Sequence, residues 1–147
     1  MSEKTKKMIK AVIIYWLPFF LWAVVIFSFS SIPTVRTSEI HWRDFIVKKT
    51  AHVVEFFIFS LLLYRAMVNS NMKTDRLLLV TVIFAAFLYG LTDEYHQSFT
   101  PGRGPMLRDV AIDTSGSILF ILSFKYIISR NEKLSKLAKM LQLTSKQ

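Results

Sequence analysis

The sequence has no cysteine in its 147 residues. That excludes disulfide scaffolds, zinc ribbons, iron–sulfur clusters and thiol nucleophiles, and it leaves the redox compartment unread. Glycine and proline number four each, too few for a collagen-like or low-complexity chain. Charged residues make up only 20%, against 52% hydrophobic and 14% aromatic, so the chain is not disordered either. As a small soluble domain it would lack polar residues to cover its surface. There is no P-loop, no G-x-G-x-x-G, no G-x-S-x-G and no H-E-x-x-H. The formal net charge of +9 does not point to nucleic acid, because the basic residues lie between long apolar runs; the expected partner is the lipid bilayer.

What is present is four apolar stretches. Ala11–Phe29 carries no charge over 19 residues, enough to cross a hydrocarbon core of about 30 Å as a helix. The basic segment before it resembles the start of a signal peptide. The core, however, is long and studded with Trp16, Phe19, Phe20 and Trp22, and no A-x-A-like site follows, so an uncleaved first transmembrane helix is expected. Pro18 predicts a kink, tolerable when a neighbour satisfies the freed carbonyl. Ala51–Val68 is apolar except for His52, Glu55 and Arg65. Leu77–Thr92 is uncharged and runs into Asp93-Glu94. Val110–Ile128 carries Asp113 near its start and Lys125 near its end. The expectation is an all-α integral membrane bundle of four transmembrane helices. Its divisions are a basic N-terminus at 1–10, the bundle at 11–128 and a basic amphipathic tail at 129–147. Pro33 breaks the first connection, with Ser38 as a candidate cap, and Thr100–Pro105 reads as a turn.

Charge orients this bundle. With the N-terminus, the 69–76 loop and the tail on one side, that side holds thirteen Lys and Arg and the other holds six. The positive-inside rule places the first side, and both termini, in the cytoplasm of a multi-pass cell-membrane protein. Acids run the opposite way, three inside and seven outside. That asymmetry bears on function rather than topology.

The ionisable residues gather at the outer end. His52 and Glu55 open the second span; Asp93, Glu94, His96 and Gln97 close the third; Asp109 and Asp113 open the fourth, with Arg103 in the turn before it. Ionisable groups at bilayer depth are costly unless paired or facing a wet cavity, so each is a site candidate. His52 lies three residues from Glu55, and Lys49 extends that face. Asp109 and Asp113 are four apart, and Gly116 continues their face, which allows a neighbouring helix to come close. His52, Glu55, Asp93, Glu94, His96, Asp109 and Asp113 are the candidates for acid–base chemistry, and the same imidazoles and carboxylates are candidates to bind a divalent metal. Of these, His52, Glu55, Glu94, His96 and Asp109 form the expected outward pocket, with a divalent metal as the candidate cofactor; imidazole plus carboxylate suits Zn, Mn or Fe better than Mg. Lys49, Gln97, Arg103 and Arg108 are candidates for holding a phosphate or carboxylate.

The segments FSFSSIP, KKTAHVVEF and YGLTDEYHQSFTPGRGPMLRDVAIDTSGS, set in a four-helix layout, resemble the VanZ-like family. Its founding member is associated with resistance to the glycopeptide teicoplanin. The resemblance runs from about Phe27 to Ser117, and DExHQ followed by PGR and D-x-x-x-D is its most specific part. It implies family polar positions at Lys49, His52, Glu55, Asp93, Glu94, His96, Gln97, Arg103, Asp109 and Asp113, and it implies no particular reaction.

Three readings stay open on the sequence. One is an outward site that binds or acts on a cell-envelope component or amphiphile, such as a lipid-linked precursor or a glycopeptide. A second is a small transporter or proton-coupled channel, which with four spans would call for an oligomer. A third is a membrane scaffold whose polar cluster is purely structural.

Overall fold

A computed structural model describes residues 2–33, 41–70, 72, 76–128 and 130–144. The described residues are mainly helical and contain no strand. Six α-helices follow in order: α1 Glu3–Ala11, α2 Leu17–Ser30, α3 His41–Val68, α4 Arg76–Gln97, α5 Leu107–Leu122 and α6 Glu132–Met140.

A π-helical segment, Val12–Trp16, joins α1 to α2. Its cause is Pro18, which has no N–H to give the Ile14 carbonyl and whose ring crowds it, so the turn before it widens. A neighbour answers the freed acceptor: Arg65 donates from Nη1 to the Ile14 oxygen at 3.1 Å. The continuous helix Thr5–Ser30 is long and apolar enough to cross a membrane, as are Phe45–Val68 and Arg76–Gln97. Three helices therefore meet that measure among the described residues. α5 stops at 16 residues, and the chain continues through a second π-helical segment, Ser123–Ile128.

Large side chains on these helices face outward, including Leu21, Val24, Leu77, Val80, Phe84 and Leu119. Such a girdle suits lipid and not water. α3 begins at His41, ten residues before the apolar stretch read from sequence, because Trp42, Phe45 and Ile46 extend its apolar surface outward. The Ser38 cap falls outside the described residues.

α5 lies against both α3 and α4, and α2 packs on α3. The core between them is Phe56, Phe59, Tyr64, Leu78, Val82, Ala86 and Phe120. Gly116 sets the α3–α5 approach: a Cβ there would stand 2.3 Å from the Val53 carbonyl oxygen. Polar ties help hold α2 in place, among them Trp22 Nε1 donating to the Glu55 carbonyl at 2.9 Å and Tyr89 Oη donating to the Ala23 carbonyl at 2.6 Å. α6 starts under an Asn131 cap, whose Oδ1 accepts from the amides of Lys133 and Leu134. It ends with Gln142 at positive φ and the Leu143 amide bonded back to the Ala138 carbonyl, which turns the tail so that Ala138 and Leu143 join the core.

Candidate functional site

Three helices bring ionisable groups to one end of the bundle: the first half of α3, the last turn of α4 and the first turns of α5. The reason is connectivity. α4 and α5 are joined through the turn at residues 98–106, so the end of one must lie beside the start of the other. Glu94 fixes that corner, because its Oε2 accepts the Met106 amide at 2.8 Å just where α5 begins. No side chain of α5 itself does that work. Asp109 in the first turn sits well against the helix N-terminus.

At the centre stand His52, Asp93 and Asp113. Each offers one ligand atom, and the three atoms lie within 4.8 Å of one another. Nδ1 of His52 is 3.0 Å from Asp113 Oδ1. Asp93 Oδ2 accepts from Gln97 Nε2 at 2.6 Å, one turn along α4. Asp113 is 0% exposed and Asp93 2% exposed, so both carboxyl groups are withdrawn from solvent. One oxygen of each, Asp93 Oδ1 and Asp113 Oδ2, has no hydrogen-bond partner among the described residues. Gly90 on α4 leaves room beside the second, since a Cβ at Gly90 would lie 3.5 Å from Asp113 Oδ2.

Around this centre the other candidates form a shell. Lys49 Nζ and Asp109 Oδ2 make an ion pair joining α3 to α5. Arg108 approaches the same carboxylate at 3.6 Å from an exposed position. Glu55 lies in electrostatic reach of His52, Asp93, Asp113 and Arg103, and Glu94 in reach of Asp109, Asp113 and Lys49. Arg103 donates weakly to the Phe29 carbonyl at 3.4 Å and keeps its buried Nε without a hydrogen-bond partner among the described residues.

His96 goes elsewhere. Its ring packs 3.9 Å from that of Phe27, centroid to centroid, and its Nε2 is 2.9 Å from Ser31 Oγ. It therefore ties α4 to the end of α2, and Ser31, which sequence reasoning passed over, is its partner. Of the residues of the expected pocket, His52 lies in the three-residue centre. Asp93 and Asp113, expected among the possible metal ligands but outside the five-residue pocket, are the two that stand with it. Helix-face spacing could not have selected them, because it says nothing of the register between helices; Gly116, one turn after Asp113, was the signal that this face of α5 comes closest to α3.

The sequence model of the VanZ/LLP1 family matches residues 3–129. The chain belongs to the VanZ/LLP1 family. No curated protein and no solved structure matches it. The family match runs through every element that builds the centre, α3, α4 and α5, and stops short of α6. In this VanZ/LLP1 chain five acids, Glu55, Asp93, Glu94, Asp109 and Asp113, lie at one end of the bundle with Lys49, Arg103 and His52. Concentrating that much negative charge away from water is costly without compensating cations or protons.

Proposed function

We propose that this protein spans the cell membrane four times with both termini in the cytoplasm, and that its polar end faces outward to bind the headgroup of an amphiphilic envelope component. The fourth crossing is α5 with its π-helical continuation, 22 residues from Leu107 to Ile128. One observation carries the binding role: three helix ends direct their ionisable groups to a single shielded centre, where two buried carboxylate oxygens have no hydrogen-bond partner among the described residues. Structural packing alone gives no reason to bury acceptors without donors. Lys49 and Arg103 would meet a phosphate or carboxylate of the ligand. Family membership adds the link to teicoplanin, as a change in how the envelope presents or retains lipid-anchored precursors. A proton relay is less well supported, because inward of the cluster the core is Phe56, Phe59, Val82 and Phe120. The buried polar groups there are the hydroxyls of Ser60, Tyr64 and Ser117, with no ionised side chain among the described residues.

Two experiments test this. In a chain without cysteine, single cysteines at Ser98, Met72 and Thr144 report sidedness to an impermeant thiol reagent. Labelling of Ser98→Cys alone in intact cells is expected, and outside labelling of Met72→Cys or Thr144→Cys refutes the topology. For function, teicoplanin susceptibility is measured in cells expressing wild type, His52→Ala and Glu94→Gln at matched levels. Wild type is expected to protect and both variants to lose most of that protection. Equal protection by all three would remove the cluster from the working site.

A further inference from the structure

We propose that the polar end holds one divalent cation between His52, Asp93 and Asp113. The inference rests on the reading of that end as a binding site and names what sits at its centre.

Three features support a cation here. The first is geometry. For nitrogen and oxygen ligands at about 2.0–2.6 Å from a metal, adjacent ligands stand roughly 3 Å apart and opposite ones roughly 4–5 Å. Ligand atoms from three different helices within 4.8 Å of one another fit that span with small side-chain movements. The second is the pair of orphaned oxygens. Asp93 Oδ1 and Asp113 Oδ2 belong to residues 2% and 0% exposed, and neither has a donor among the described residues. The third is charge, with five carboxylates in the neighbourhood against the side chains of Lys49 and Arg103. A dication at the centre brings that balance close to neutral.

The surroundings also suit a resident ion. Gln97 Nε2 holds the other oxygen of Asp93, the kind of outer contact that fixes a ligating carboxylate. Gly90 keeps the space beside Asp113 Oδ2 free of a side chain. One imidazole with two carboxylates favours Zn, Mn or Fe over Mg, which takes mainly oxygen ligands and water. Such an ion would draw an anionic headgroup to the centre of the site.

The test is Mn²⁺ titration of the full-length protein, purified in detergent and stripped with chelator, reading free Mn²⁺ by electron paramagnetic resonance and bound metal after desalting. One Mn²⁺ per chain is expected, displaced by Zn²⁺ and not by an equal concentration of Mg²⁺. His52→Gln, Asp93→Asn and Asp113→Asn should each weaken binding at least about tenfold, whereas Glu132→Gln at the far end should not. Circular dichroism of each variant verifies folding, and should Asp113→Asn fail to fold, His52→Gln and Asp93→Asn decide. Stoichiometry far below one, unchanged affinity in those two variants, or equal displacement by Mg²⁺ overturns the inference. The same variants in the susceptibility assay separate the two readings. Loss of protection without any metal binding by wild type removes the cation and keeps the envelope site; metal binding with undiminished protection keeps the cation and removes the envelope role.

Discussion

Gly116→Ala should cost the bundle about 1–3 kcal/mol, the range of overpacking in a filled core. The added Cβ would stand 2.3 Å from the Val53 carbonyl oxygen and 3.1 Å from both Phe56 Cβ and the Phe57 amide nitrogen. Two of those three atoms are backbone, so no rotamer change relieves the clash and α5 must move off α3. Because His52 adjoins Val53 on α3 and Asp113 lies one turn before Gly116 on α5, the 3.0 Å contact between them should open as well. The expected result is a melting temperature several degrees lower in detergent together with weaker Mn²⁺ binding. Two other glycines serve as controls. Gly104→Ala meets nothing within 4 Å and should be neutral. A Cβ at Gly90 makes only ordinary contacts at 3.5 Å, and alanine is the better helix former by about 1 kcal/mol, so Gly90→Ala should not lower the melting temperature. A Gly116→Ala protein as stable as wild type would mean that α3 and α5 do not pack this closely.

Much of this arrangement is legible in the amino-acid order, and its limits have physical causes. Length and apolar composition mark the three helices long enough to cross a membrane, because a hydrocarbon slab imposes a minimum run of apolar residues that few soluble helices need. The helical fold and the family both follow from that pattern and from the DEYHQ and PGR segments. The start of α3 is less legible: hydropathy falls across Lys48 and Lys49, while the helix continues outward past them to His41. Single-chain spacing groups His52 with Glu55, or Asp109 with Asp113, on one helix face. Which residues of α3 and α4 meet which of α5 depends on helix rotation and register, set against α3 by Gly116 and against α4 by the Glu94–Met106 corner. That is why His96, two residues from Glu94, turns toward Phe27 and Ser31 instead of the centre. The π-helical turn was foreshadowed by Pro18, but the residue that compensates for it lies 47 positions along the chain.

That residue, Arg65, carries the other large expected effect. Its guanidinium donates to the Ile14 carbonyl at 3.1 Å, to the Leu141 carbonyl at 3.0 Å and to Gln142 Oε1 at 2.9 Å, and its Cζ lies 5.1 Å from the centre of the Tyr15 ring. One side chain thus joins the π-helical turn, α3 and the segment that follows α6. Asn69 Nδ2 adds a further bond to the Gln142 carbonyl at 2.8 Å. Hydrogen bonds from a charged donor contribute roughly 1.5–3 kcal/mol each where water is scarce; Arg65 is partly exposed, so the lower end of that range applies. Arg65→Met keeps much of the apolar stem and removes every donor. It should undock the tail, exposing Ala138 and Leu143, and leave the Ile14 carbonyl without the donor that Pro18 cannot supply. Trypsin should then cut at Lys133, Lys136 or Lys139 several times faster than in wild type, and the melting temperature should fall. Arg65→Lys should rescue little, because a single ammonium cannot serve three acceptors lying in the directions of a planar fork. Unchanged cleavage in Arg65→Met would show that the buried Ala138 and Leu143 hold the tail without help from the guanidinium.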